Sequence, residues 1–302
     1  MKYLIIGAGA TGAPIAAYLA NKNHDVSIIA RNETLKKIQN DGLSIIKSDG
    51  SELNVKIKAY DEKSYTETPD IIFLCVKAYS VDSTIEFLTR VCDENTIVIP
   101  ILNIYTTGEY LQQKLPHCTV TDGCIYIASG IKSAGVIEMQ GEIFRVFFGE
   151  RGKLLNDEKL QAVQNDLRAC SIDAVHSKKM QTDAFEKFTF VSTMAACGLY
   201  HDCMVEKMQV DKIVRDDFMC LTREILSLAD KMGLEFEVDV FEKNMGILDN
   251  LSPNAMASMQ RDIAAGRQSE IGGLVHAVPQ KAKEFGLTLP LYEKISIKFK
   301  NI

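Results

Sequence analysis

The chain has 302 residues, of which 46% are apolar and 25% charged, and a formal net charge of −6. That much apolar material excludes a disordered chain and leaves room for two domains. The acidic balance argues against general nucleic-acid binding, which needs a basic face, and no apolar run approaches the roughly eighteen residues of a membrane span.

Tyr3-Leu4-Ile5-Ile6 is a short apolar run, and Gly7-Ala8-Gly9-Ala10-Thr11-Gly12 follows at once. Pro14 to Lys22 reads as a helix and Asp25 to Ala30 as a second strand. A G-x-G-x-x-G element between strand and helix is a dinucleotide fingerprint, whereas the same glycines without that context are weak evidence. Gly7 permits a sharp turn, Gly9 lets backbone approach a pyrophosphate, and Gly12 lets helix and strand pack closely. The helix N-terminus offers its unpaired N–H groups to the anion. Dinucleotide sites that prefer NAD place Asp or Glu at the end of the second strand. Here that strand ends Ile28-Ile29-Ala30-Arg31-Asn32. Arg31 is a permanent cation with a planar fork suited to a 2′-phosphate, which favours NADP(H); a solvated surface arginine is the plainer alternative.

Further strands are predicted at Leu43–Lys47, Val55–Ala59, Ile71–Val76 and Thr96–Ile101, then at Thr119–Ile127, Gly135–Gln140 and Ile143–Phe148, with a turn at Gly141. Ile71 to Val76 is apolar without alternation, as in a parallel strand covered on both faces. Asn156–Cys170 has helical periodicity, and Ile172–His176 reads as a last strand. Beyond Lys178 helices dominate: Gln181–Cys197, Asp211–Met232, Asn254–Ala265, Ser269–Phe285 and Leu291–Lys300. Breaks fall at Gly233, Ser252-Pro253 and Pro290. The expected architecture is α/β, a doubly wound sheet over residues 1–176 followed by an all-helical domain over 177–302. Ligands of such sheets bind outside the carboxyl ends of the strands.

Val76-Lys77-Ala78-Tyr79 leaves one such strand end, and Asn103 follows the next. Lys77 brings a charge there and Asn103 both amide donors and an acceptor; a loop lysine and a turn asparagine are the plainer accounts. Lys187 interrupts an otherwise apolar helix, either on a solvated face or partly desolvated and able to donate a proton. Glu270 opens a helix, where a carboxylate also suits the dipole, and Ser258 has a similar setting. The cysteines at 75, 92, 118, 124, 170, 197, 203 and 220 form no C-x-x-C pair. They read as buried thiols of a reducing compartment. Cys197, His201 and Cys203 match no zinc spacing, so no metal is expected. A strand at the very start, with no signal or transit segment, predicts a cytoplasmic protein. The helical domain could present a homodimer face, and no apolar stripe selects one.

Taken in order, the glycine turn, Arg31, Val76-Lys77-Ala78-Tyr79, Asn103, Lys187, Ser258 to Asp262 and Ser269-Glu270-Ile271 resemble the ketopantoate reductase (2-dehydropantoate 2-reductase) family along essentially the whole chain. The resemblance implies an NADPH-binding Rossmann domain, a helical domain and reduction of a 2-oxo acid to a 2-hydroxy acid. It implies that Gly7, Ala8, Gly9, Ala10, Thr11 and Gly12 hold the pyrophosphate and Arg31 the 2′-phosphate. Lys77 and Asn103 would lie against cofactor and substrate. Lys187 would be the general acid, Glu270 would support the polar network and the cofactor, and Ser258 would contact the substrate carboxylate. Two departures stand out. Where the family carries asparagines one and two turns beyond the lysine, this chain has Val191 and Ala195, on the same helical face. Where the family usually has Gly after the asparagine, it has Ile104-Tyr105. An apolar pair cannot satisfy a substrate hydroxyl, which costs about 1–3 kcal/mol if buried. A less polar oxo substrate, or an NADPH-binding regulator without catalysis, are therefore the alternatives to ketopantoate.

Overall fold

The computed structural model of the chain describes residues 1–151 and 156–302. It divides into two compact units, Met1–Leu102 with Thr106–Met180, and Gln181–Ile302 with the short segment Asn103–Tyr105. Each is taken by itself.

In chain order the first unit contains β1 (Lys2–Ile6), α1 (Gly12–Asn21), β2 (Asp25–Ile29), α2 (Asn32–Asp41), β3 (Leu43–Ile46), β4 (Glu52–Val55), β5 (Lys58–Tyr60), β6 (Ile71–Leu74), α3 (Ile85–Val91), β7 (Ile97–Pro100), α4 (Thr107–Lys114), β8 (Thr119–Val120), β9 (Asp122–Ser133), β10 (Val136–Gly149), α5 (Asp157–Ala169) and β11 (Asp173–His176). Six strands form one sheet in the order β5-β2-β1-β6-β7-β8, with parallel pairing throughout. The unbroken apolar runs are explained by two cores. Tyr3, Ile5, Ile71, Phe73, Ile97 and Ile99 point into one, shared with α1, α5 and β10. Leu4, Ile6, Ile72, Leu74 and Val98 point into the other, under α3 and α4. Side chains alternate along a strand, so covering both faces demands apolar residues at every position.

A second, mixed sheet runs β11-β10-β3-β4, with β9 against β10. It corrects the sequence expectation in two places. Val55–Ala59 is not one strand; it is divided between the antiparallel partner of β3 and the parallel partner of β2. No turn stands at Gly141. β10 continues through it and advances from Met139 to Phe144 while β9 passes only from Ser129 to Ile127, so a bulge absorbs the surplus.

The helical unit holds most of α6 (Met180–His201), then α7 (Val205–Val210), α8 (Lys212–Lys231), α9 (Val240–Asn250), α10 (Ser258–Ala264), a π-helical turn at Gly272–His276, α11 (Ala277–Glu284) and α12 (Pro290–Lys298). Asp211 caps α8 by accepting from the backbone N–H groups of Ile213 and Val214. Phe218, Leu221, Ile225 and Leu228 then recur at helical spacing and are buried. α9 has no counterpart among the helices expected from the sequence. Its flank, Glu235-Phe236-Glu237-Val238, alternates like a strand, but the Asp239 side chain accepts from Glu242 N–H and starts a helix. The predicted helix Ser269–Phe285 begins with the π turn, of which Gly272 and Gly273 are the first residues, and passes directly into α11. The core is pinned by Ser192, whose hydroxyl donates to Leu274 O at 2.7 Å. Its proton being committed there, Tyr292 donates to Ser192 Oγ, 2.8 Å away. Glu224 accepts from Leu291 and Tyr292 N–H at 2.8 and 3.0 Å, closing the first turn of α12.

His176 at the end of β11 supplies a test of the first unit. Its side chain is wholly buried, stacked on Phe148, and both ring nitrogens lack a hydrogen-bond partner among the described residues. Asp157 lies 3.8 Å from Nδ1, too far for a hydrogen bond. Burial holds the imidazole below the usual histidine range, with Glu150 pulling partly the other way. The folded chain thus binds fewer protons than the unfolded one below about pH 6.5. Stability is complete above that value and falls as the pH drops toward the depressed pKa. The urea midpoint should fall between about pH 7 and pH 5, and His176→Phe should flatten the fall. Superimposable pH profiles for the two proteins would exclude His176 as its source.

Candidate functional site

The glycine turn is built by exclusion. Gly7 has φ +108°, and a Cβ there would stand 2.6 Å from the carbonyl oxygen of Cys75. A Cβ at Gly12 would stand 2.1 Å from Gly7 O. Both glycines are therefore required by the protein itself. Gly9 is different: a Cβ there meets nothing within 4 Å. No internal contact accounts for glycine at this position, and a methyl group would project into open space beside the helix start. Ala13 N–H is bonded to Gly9 O at 3.0 Å, and Ser129 donates to Ala10 O at 2.8 Å, which fixes the turn. Thr11 is the N-cap of α1 and makes no side-chain cap bond, and the first helical turn carries no acidic residue. Uncapped N–H groups, no competing carboxylate and clearance at Gly9 fit a dinucleotide pyrophosphate.

Two cations stand at the same sheet edge. β1 and β6 are paired neighbours, and Lys77 follows β6 as the N-cap of a short 3₁₀ turn. Arg31 lies beyond β2, extended and exposed. Its guanidinium is hydrogen-bonded to the Glu62 carboxylate. Nothing in the local sequence signals Glu62, which reaches the site only through the pairing of β2 with β5.

In the helical unit Lys187 Nζ donates to Asn103 Oδ1 at 2.9 Å. The two residues are far apart in sequence and meet because Asn103–Tyr105 belongs to this unit. Tyr105 packs edge-on against Phe185 and tilted against Phe188, the aromatic neighbours of Lys187 on α6. Ile104 lies where a side chain at Gly273 would be, 2.4 Å from the position of its Cβ. Glu270, buried at 5% exposure, opens the turn that contains Gly273, its carbonyl accepting from Leu274 N–H. Lys187, Asn103, Ile104 and the Glu270–Gly273 turn are thus brought to one place, and the Ile104–Gly273 fit is a feature that sequence reasoning missed.

One expected residue, Ala195, has no exposed surface where it stands. Val191 is half-buried one turn beyond Lys187, but Ala195 is fully buried in the helical core and has no surface to offer a ligand. The reason is that α6 from Ser192 to Gly198 is enclosed on every side. Ser258 is half-buried at the start of α10. The neighbouring Gln260 packs against Gly198 and donates to Cys203 O. Cys197 donates to Val214 O and His201 Nε2 is 2.8 Å from Asp217 Oδ2; among the described residues no His, Cys, Asp and Glu cluster could hold a metal. Among them, too, no helix is long and apolar enough to cross a membrane.

Comparison with known proteins gives the same family twice. Residues 3–153 match the profile of ketopantoate reductase PanE/ApbA, and residues 179–301 match that of the ketopantoate reductase PanE/ApbA C terminal region. The chain is 25% identical over 298 residues to the uncharacterized oxidoreductase YkpB of Bacillus subtilis, covering 98% of this chain and 96% of that one. Among solved structures it resembles a PanE/ApbA family ketopantoate reductase from Ralstonia eutropha, with TM-score 0.89 and 19% identity over 99% of this chain and 97% of the other. It also resembles D-mandelate dehydrogenase in its ternary structure with NADH and anilino(oxo)acetate, with TM-score 0.88 and 19% identity over 98% and 96% of the two chains.

Gly9→Ala separates a ligand-driven glycine from a structural one. The variant should melt like the parent protein, because its methyl group meets no atom of the chain, and should bind NADPH at least about tenfold more weakly in a fluorescence titration. Unchanged affinity would remove the pyrophosphate from this turn.

Proposed function

The chain belongs to the ketopantoate reductase family of oxidoreductases, and from that premise we propose that it reduces a 2-oxo acid to the 2-hydroxy acid, with NADPH as reductant and 2-dehydropantoate as the leading substrate. The observation that carries the proposal is the Lys187 ammonium, held by the Asn103 carbonyl beside the buried Glu270 turn. A bound reduced nicotinamide supplies the hydride. As the carbonyl carbon accepts it, negative charge grows on the keto oxygen. Lys187 stabilises that charge and then transfers a proton to the oxygen, leaving a hydroxyl group. Asn103 fixes the ammonium, and Tyr105, wedged on Phe185 and Phe188, fixes Asn103. Gly7 to Gly12 hold the pyrophosphate, Arg31 takes the 2′-phosphate, and Lys77 stands at the adjoining strand end. Glu270 keeps a carboxylate in the polar network, and Ser258 serves the substrate carboxylate.

One observation favours a second reading. The half-buried surface next to Lys187 is apolar, with Val191 one turn along and Ile104 seated on Gly273. A 2-oxo acid with an apolar side chain would leave no hydroxyl unpaired there. D-mandelate dehydrogenase, of similar fold, was captured with an aromatic oxo-acid ligand, which supports this substrate class.

Turnover tests both. Lys187→Ala should lower kcat by about 10²- to 10⁴-fold while the Kd for NADPH stays within about twofold. A near-normal rate excludes the general-acid role. A panel of 2-oxo acids followed at the NADPH absorbance band separates the substrates. On the second reading, with Val191 beside the lysine, oxo acids with apolar side chains should have higher kcat/KM than ketopantoate, and Val191→Asn should move the ratio toward ketopantoate. A parent enzyme already most active on ketopantoate would discard the apolar reading.

A further inference from the structure

We propose that Glu62 sets the coenzyme preference of this chain: its carboxylate competes with the ribose 2′-phosphate for the Arg31 guanidinium and so lowers the selectivity for NADPH over NADH. The inference rests on the dinucleotide-binding assignment above and deepens it.

The pairing of Arg31 with Glu62 is written into the sheet. β2 and β5 run parallel with Ile29 opposite Tyr60, and Ala30 N–H extends the ladder to Tyr60 O at 2.9 Å. Arg31 and Glu62 are the equivalent next positions on the two strands, and their side chains meet. They lie at the carboxyl edge of the strands, where the adenosine ribose of a dinucleotide sits in folds of this type. In NAD sites the second strand itself supplies an acidic residue to the ribose hydroxyls. Here that strand supplies Arg31, and the acidic residue arrives from the neighbouring strand.

Glu62 is not a loosely held surface residue. Its carbonyl oxygen accepts from Arg90 Nη2, and Arg90 Nη1 donates to Tyr65 O at 2.8 Å. The turn between them is closed by Ser64 N–H on Asp61 Oδ1 at 2.7 Å. Tyr65, at 1% exposure, is packed edge-on against Tyr60 and Phe87, and Arg90 covers the Phe87 ring. The side chain of Glu62 is 25% exposed and that of Arg31 55%. The backbone of Glu62 is thus fixed, and its carboxylate is directed at Arg31; an exposed ion pair of this kind adds little to stability. Its consequence falls on the ligand. A phosphate monoester carries about −1.5 to −2 charges near neutral pH. It must displace Glu62 from Arg31 and then remain beside that carboxylate. A ribose 2′-hydroxyl brings no charge and can donate to Glu62.

The experiment measures dissociation constants for NADPH and NADH by titration of the full-length protein and its Glu62→Gln variant, which keeps the side-chain shape and removes the charge. NADPH affinity should rise about tenfold, the low end of the value of one charge-assisted contact, with NADH affinity unchanged or weaker. In an Arg31→Ala background the NADPH gain should collapse to less than about twofold. An unchanged NADPH to NADH ratio in Glu62→Gln overturns the proposal, as does a gain that survives without Arg31. Failure of the parent protein to bind either dinucleotide is a separate outcome: it overturns the coenzyme assignment itself, and this proposal with it.

Discussion

The first unit depends on a space too small for a carbon atom. Gly12 abuts the Gly7 carbonyl, Gly7 abuts the Cys75 carbonyl, and neither position accepts a Cβ. This contact is what lets α1 start a short turn after β1 and lie against β1 and β2. Once the helix is seated, Ala13, Ala16 and Ala17 fill the first core beside Ile5 and Phe73, and the alternation along β1 and β6 hands every other residue to the second core. The same contact points the helix N-terminus outward at the strand edge. The turn is clamped by backbone on one side and by Ser129 on another, and it has clearance for a close approach at Gly9. A binding loop with one open side holds its donors in place before the ligand arrives, so little ordering entropy is lost on binding.

Much of this was legible because it is local. Strand, glycine turn, helix and strand succeed each other within Met1 to Arg31, although the group that excludes a side chain at Gly7 is the carbonyl of distant Cys75. The buried character of β6 was legible as well, since an apolar run without alternation has only one good explanation in a parallel sheet. What escaped the sequence depends on pairing over distance. The meeting of Arg31 with Glu62 needs the register of β2 on β5. The continuity of β10 through Gly141 depends on β9 supplying a partner on both sides of a bulge. α9 was not among the expected helices; the group that starts it is one capping carboxylate, Asp239.

Ala195 shows a different limit. Helical periodicity places it on the Lys187 face, and that much holds. Periodicity does not say how far round the helix its neighbours wrap. Beyond Val191, α6 is a central helix enclosed by the others, so its polar residues turn inward: Ser192 bonds to Leu274 and Tyr292, and Thr193 lies 3.4 Å from the same Tyr292 hydroxyl. A face drawn on a helical projection is a surface only while the helix has an outside. For Lys187 it does: the residue is half-buried, and its partner Asn103 comes from a segment that sequence order alone would assign to the sheet.

Ile104 and Gly273 constrain each other's substitution. The isoleucine fills the volume a side chain at 273 would need, with its nearest atom only 2.4 Å from the would-be Cβ. Enlarging 273 with Ile104 in place forces either the Ile104 side chain or the turn opened by Glu270 to shift. Shrinking Ile104 first leaves a void beside Asn103, which costs stability but no clash. Mutational paths through this pair therefore run in one order, smaller at 104 before larger at 273. Homologous chains that carry a bulky residue at the second position should carry a small one at the first.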